Sequence, residues 1–394
     1  MMALAAIPAP LYPLYQRRLD LSLTALACVF AAYMVGVASA LPLGGRLSDH
    51  YGRRVTLASG GAAAGAATVL FLATPALAGL VTARLLSGMA VGLVSLAATT
   101  QLLDLWPSRI GASRSVGETV ATLANLGGIG VGAVAGSLAL GLSSSPLSVP
   151  YRIYAIVLAG FGTAAVLATD GQRRRVGSGS TPRASARSVR ARHELRVACL
   201  GAFTVFATLG YFSSLAPVFL AGQHAEVTSV LPALVIAGPF VASAVVQTSV
   251  VNVEGSPTVL GLVLVPLGLV VTTASLAASQ TWTFVAGAVV AGAGCGVVFR
   301  RSLRRVSVLS AGAERGSLTS RFLLAGYLGP IVPIVVLGVV ADLVTPLTAS
   351  GLFAAGIGVC CALLLADLRR TPPRRRDADR PRANNQVTTR GTIQ

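Results

Sequence analysis

One aspartate and four basic side chains crowd into GGRLSDHYGRR, residues 44–54 of a chain in which only 11% of residues are charged. Asp49 can accept hydrogen bonds from a helix N-terminus or pair with an arginine, while Gly45 and Gly52 allow a tight turn and close helix approach. Arg53 and Arg54 have a plainer alternative role, which is to fix the side of a membrane on which the segment stays. A second charged group, Asp104, Arg109, Arg114 and Glu118, flanks a short connection. It reads either as a network that exchanges partners between states or as solvated interfacial charge. Arg84 stands alone well inside an apolar block. A charge at the centre of a bilayer costs about 2.5–3.5 kcal/mol, so it must find a partner or reach outward to headgroups.

Several chemistries are missing. There is no lysine in the sequence, which excludes a Walker A loop and Schiff-base catalysis. Neither H-E-x-x-H nor G-x-S-x-G occurs, so no catalytic residues, enzyme activity or cofactor are expected. Cys28, Cys199, Cys295, Cys360 and Cys361 lack C-x-x-C spacing and read as packing residues, not as disulfides or metal ligands. Asp20, Asp104, Glu118, Glu226 and Asp342 all sit near the ends of apolar blocks. A buried acid to carry a proton has no clear candidate.

The elements that must position these groups follow from composition. With 54% hydrophobic residues and a mean hydropathy of +0.75, the chain is too apolar for a water-soluble domain. Its apolar blocks are about twenty residues long, the length of a membrane-crossing helix. Twelve spans are predicted, at residues 1–16, 21–43, 55–74, 77–103, 117–142, 151–169, 197–221, 227–250, 257–278, 281–299, 320–341 and 346–366. The even-numbered junctions and the C-terminus hold 27 of the 31 arginines, against Arg17, Arg18, Arg84 and Arg152 in the other half. That asymmetry puts the arginine-rich side and both termini in the cytoplasm, in a multi-pass protein of the cytoplasmic membrane. It also assigns the net charge of +18 to topology and anionic lipid headgroups, with no nucleic-acid role.

Residues 171–195, rich in Ser, Gly and Arg, read as a flexible cytoplasmic linker between two six-helix bundles, 1–170 and 196–368. Residues 369–394 read as a basic disordered tail. Ala9-Pro10-Leu11-Tyr12 and Ala216-Pro217-Val218-Phe219 are each followed by a glutamine six residues after the proline, Gln16 and Gln223. The offset of 207 suggests a parallel repeat. At sixteen residues, with Pro8, Pro10 and Pro13, the first span would reach roughly 24 Å, short of the hydrocarbon thickness. The expectation is an N-terminally shortened first helix, with the recorded start about ten residues late.

Gly45, Leu47, Asp49, Gly52, Arg53 and Arg54 resemble the signature loop of the major facilitator superfamily, G-x-L-a-D-r-x-G-R-[RK], at the junction where that family carries it. The resemblance implies an all-α 6+6 bundle that moves a small-molecule solute by alternating access. It also implies that Asp49 latches the first half onto the start of span eleven, residues 317–321, in the outward-open state. The corresponding second-half stretch, residues 250–259, has no basic residue, so the latch is one-sided. Arg84 to Gly92, R-L-L-S-G-M-A-V-G, is similar to the family's fourth-span motif, whose arginine is implicated in proton coupling. Gly128, Gly132 and Gly136, spaced by four, line one helix face. They resemble the fifth-span motif of drug and proton antiporters, although Ala133 stands where a proline is usual. Ordinary close helix packing is the other reading.

Tyr33, Asn125, Tyr211, Phe212, Gln247 and Tyr327 are the cavity candidates, because family substrates bind near the midplane between the halves. The resulting expectation is a monomeric, proton-coupled exporter of drug-like compounds. Two alternatives stand beside it: uptake of a polar metabolite, and a transport-inactive binding or sensory protein.

Overall fold

The computed structural model describes residues 1–73, 76–109, 114–168, 189–222, 231–249, 257–309 and 315–370. Every regular element among them is a helix. The first half consists of α1 (Met2–Ala6), α2 (Pro8–Leu19), α3 (Leu23–Tyr51), α4 (Arg53–Ala73), α5 (Leu77–Arg109), α6 (Arg114–Leu142) and α7 (Val149–Ala168). The second consists of α8 (Val189–Ser213), α9 (Ala216–Ala221), α10 (Leu231–Ser249), α11 (Pro257–Ala277), α12 (Thr281–Leu309), α13 (Arg315–Leu343) and α14 (Pro346–Arg370). With α1–α2 and α8–α9 each counted as one broken helix, this is an all-α bundle of six spans plus six.

The outer surface is what a bilayer requires. Val336, Leu352 and Leu363 are each more than half exposed, an apolar coat that lipid would cover. Several interior threonine hydroxyls are satisfied within their own helices. Thr68, Thr204 and Thr208 donate to the carbonyls of Ala64, Leu200 and Thr204 at 2.7, 2.8 and 2.9 Å, so these threonines need no water.

The broken spans carry the internal repeat. Pro8 and Pro10 lie in the first turn of α2, where a missing N–H is tolerated, and Pro217 does the same in α9. Shifted by 207 residues, the break at Ile7 falls on Ser214, and the start of α3 falls one residue before that of α10. Partner choice repeats as well. In the first half α3 and α4 pack on α5, and α1 on α6; in the second, α10 and α11 pack on α12, and α8 on α13.

Three expected boundaries move. The signature stretch is not a loop: α3 continues to Tyr51, α4 starts at Arg53, and the turn is Gly52 alone, with φ of +86°. Only a residue without a Cβ takes that conformation cheaply. The first span runs to Leu19, past the expected end at residue 16. Met2–Leu19 therefore covers roughly 27 Å. The second half begins at Val189, inside the stretch expected to be linker, because VRARHELR has the straight-chain residues that favour a helix.

Close packing of the first span depends on the glycines of α6. A Cβ on Gly128 would lie 2.6 Å from Met2 Cβ, one on Gly136 2.5 Å from the Ile7 carbonyl, and one on Gly132 would collide with the Ala3 carbonyl. On the same helix, Gly127 and Gly130 have nothing within 4 Å. Gly132→Leu should therefore lower thermal stability by about 1–3 kcal/mol, since backbone cannot rotate out of the way, while Gly130→Ala should not. Melting of the two variants in detergent checks this.

Candidate functional site

The first functional feature is built around Arg84. It lies two turns into α5 and is only 1% exposed. Nη1 donates to the Ala5 carbonyl at 2.7 Å, and Nη2 donates to the Tyr12 hydroxyl. Both acceptors belong to the broken first span, where Pro8 and Pro10 have already removed two backbone donors. The guanidinium carbon lies 5.2 Å from the Tyr12 ring centre and 5.6 Å from that of Tyr33, within cation–π range. Nε has no partner. No carboxylate among the described residues pairs with it. The tyrosine face continues beside it: Tyr15 donates to Tyr151 at 3.3 Å, and Tyr151 stacks on Phe71 at 4.5 Å. Arg84 thus does not reach the headgroups, one of its two sequence readings. It fastens the first span to the fourth.

Tyr33 leads from this cluster to the seam between the halves. With Val37 and Val91 it forms a small core, against which Met1, Met2, Ala5, Met34 and, from α13, Tyr327 pack. Tyr327 is in turn 5.6 Å, ring to ring, from Phe206 on α8. Two of the six cavity candidates, Tyr33 and Tyr327, therefore meet across the seam.

The other candidates are placed differently. Tyr211 and Phe212 are wholly buried in the second half. The Tyr211 hydroxyl meets Ser350 Oγ at 2.8 Å, and its ring stacks on Phe353 at 5.0 Å, so neither residue faces an open cavity in this state. Gln247 is near the arginine-rich end of α10, where it donates to Ser243 at 3.0 Å and its carbonyl accepts from Arg300. The side chains of Asn125, Asp49, Arg53, Asp104, Arg109, Arg114 and Glu118 lie outside the described residues. Gly45 has open space around it, and Arg54 is exposed on the first turn of α4.

The second feature is a contact between the halves that the sequence did not reveal. Asp342, the penultimate residue of α13, accepts hydrogen bonds from the Leu23 and Thr24 backbone N–H groups at 2.8 and 3.0 Å. It accepts a third from Thr24 Oγ1 at 2.6 Å. Those amides open α3, so the carboxylate of one half caps the free N-terminus of a helix in the other. One turn below, Gly338 lets the helices touch: a Cβ there would lie 2.7 Å from Ala27 Cβ and 2.9 Å from the Leu23 carbonyl. α2 also meets α9 across the halves. These contacts join the two halves at the arginine-poor end.

At the opposite end, Asp367 of α14 contacts His193 of α8 at 3.0 Å and Arg305 of α12 at 3.6 Å, while Glu194 lies 3.7 Å from Arg305. This ion cluster ties three ends of the second half. It left no sequence signal because its members come from three helices far apart in the chain.

The profile of the Major Facilitator Superfamily matches residues 1–253. No curated protein matches the chain. Among solved structures, a mutant of the nucleoside transporter NupG superposes with a TM-score of 0.71 at 13% identity, covering 93% of this chain and 97% of its own. The xylose transporter XylE from E. coli, in a partially occluded inward-open conformation, gives 0.61 at 13% identity, with 94% and 95% covered. A profile match over well more than half the sequence, joined to a fold shared with two transporters along nearly its full length, makes the chain a member of the Major Facilitator Superfamily.

Proposed function

We propose that this protein is a secondary transporter that exports amphipathic, drug-like organic solutes by alternating access, driven by the proton gradient. The observation that supports this reading is the composition of the seam. Tyr33, Met34 and Tyr327, with Met1 and Met2 beside them, make a pliable aromatic and methionine surface that can adapt to varied apolar shapes. In this reading the arginine-poor end faces outward, so the state with Asp342 capping α3 is closed to the exterior. Arg84 holds the first and fourth spans as one unit while the halves rock. The signature residues Gly45, Asp49, Gly52, Arg53 and Arg54 provide the inner latch, with Asp104, Arg109, Arg114 and Glu118 beside it. The protein works as a monomer in the cytoplasmic membrane, with both termini inside.

A second reading, uptake of a polar metabolite, is favoured by the two solved neighbours, which are transporters of nucleosides and of xylose. Everted vesicles from an efflux-deficient bacterium separate the two. Expression should give ethidium uptake that needs an imposed pH gradient and collapses with an uncoupler. Inward movement of nucleoside or pentose in right-side-out vesicles, without ethidium transport, would replace export by uptake. No movement of either would leave a binding or sensory protein.

A further inference from the structure

A recess of about 410 Å³ opens at the arginine-rich end of the second half, between α8, α12 and α13. Its walls are Arg192 and Arg196 from α8 and Arg321 from α13, and its apolar lining is Leu195, Leu309 and Leu318. The volume is in the range of small-ligand pockets, about 300–1,000 Å³. Among the described residues, no acidic side chain lines it.

Its height in the membrane identifies the ligand. The apolar stretches of these helices run Ala191–Ala221, Thr281–Val306 and Arg321–Leu343, so all three begin or end at the recess. Guanidinium groups at that level face the layer where phospholipid phosphates lie, and each can hold a phosphate through two parallel N–H bonds. The leucines, one of them buried, offer an apolar wall to the glycerol backbone and the first acyl methylenes. A soluble anion would use the arginines and gain nothing from that wall.

We infer that the recess is a site for the phosphate headgroup of an anionic phospholipid, which bridges the start of α8, the end of α12 and the start of α13. The bound lipid fastens the part of the second half where the inter-half linker enters to the helix that packs on α3. This site is independent of the direction of transport and of the solute.

The test uses the full-length protein in neutral detergent, with dioleoylphosphatidylglycerol, dioleoylphosphatidylcholine, glycerol 3-phosphate and inorganic phosphate as probes. Native mass spectrometry reads lipid retention and melting reads stabilisation. Phosphatidylglycerol should be retained and should raise the melting temperature, with phosphatidylcholine weaker. Arg192→Gln/Arg196→Gln/Arg321→Gln should reduce phosphatidylglycerol affinity about a hundredfold, the combined worth of three interfacial arginines. Arg17→Gln/Arg18→Gln, at the opposite end, should not. If the triple variant does not fold, the single variants Arg196→Gln and Arg321→Gln must each weaken retention about fivefold. Equal retention by wild type and variants would overturn the site. Stabilisation by inorganic phosphate alone, with no further gain from phosphatidylglycerol, would overturn the lipid assignment.

Discussion

Arg84→Met is expected to abolish transport and to lower the melting temperature measurably. The energetic terms oppose one another. Removing the guanidinium gives up two cation–π contacts, each about 0.5–2 kcal/mol, and leaves the Ala5 carbonyl and Tyr12 hydroxyl unpaired at about 1–3 kcal/mol each. Against this, the membrane no longer holds a charge without an acid beside it, which costs about 2.5–3.5 kcal/mol, and methionine fills most of the volume. The losses sum to about 3–10 kcal/mol against a relief of about 2.5–3.5 kcal/mol, so Arg84 contributes a few kcal/mol of net stability beside its part in the proposed mechanism. That part is mechanical and electrostatic, joining the first span to the fourth under Tyr33 at the seam. Ethidium uptake by everted vesicles should fall to the empty-vector level in Arg84→Met and remain partial in Arg84→Lys, which keeps the charge but loses the planar fork. Tyr12→Phe keeps the ring and loses one acceptor, so it should slow uptake without abolishing it. Undiminished uptake by Arg84→Met would remove Arg84 from the mechanism.

Most of the fold was legible because lipid imposes a simple rule: each apolar block of about twenty residues is a helix, and arginine marks one side. The repeat was readable from Ala9-Pro10 and Ala216-Pro217, and both mark breaks in spans one and seven. Local propensity misled at residues 44–54, where three glycines and several charges suggested a loop. Only Gly52 leaves the helix, because interfacial charges can be solvated from a helix as readily as from a turn. The site was harder to read, since its important contacts are distant in sequence. That Arg84 would meet Tyr12 was not visible, although an isolated buried cation near tyrosines on another span is a usable signal. That Asp342 would reach Leu23, 319 residues away, left no sequence trace beyond a carboxylate at a helix end. Tyr211 and Phe212 looked like cavity residues because they are large and near mid-span, yet Ser350 and Phe353 satisfy both hydroxyl and ring.

The Asp342 contact carries the second large effect: in the proposed mechanism Asp342→Ala should open the arginine-poor end. α3 and α13 run antiparallel, so the helix that ends at Asp342 begins near residues 317–321, where the resemblance places the partner of Asp49, and the helix that begins at Leu23 ends beyond Asp49. With the latch role proposed for Asp49, one helix pair would offer a carboxylate to a helix N-terminus at each end. Capping at one end competes with capping at the other, because rocking that closes one separates the other. A carboxylate cap holding three donors near the surface is worth about 1–2 kcal/mol, which shifts the population of the two states about 5–30-fold. Spin labels at Leu142 and Gln280, on the arginine-poor ends of opposite halves, should report a longer-distance population in Asp342→Ala that is minor in wild type. Gly338→Leu, which wedges the same contact sterically at the Ala27 and Leu23 positions, should produce the same shift by a different route. Asp342→Asn retains one acceptor oxygen and should fall between. If both Asp342→Ala and Gly338→Leu leave the distance distribution unchanged, the cap is a static contact, and the two-ended competition between α3 and α13 does not drive the exchange of states.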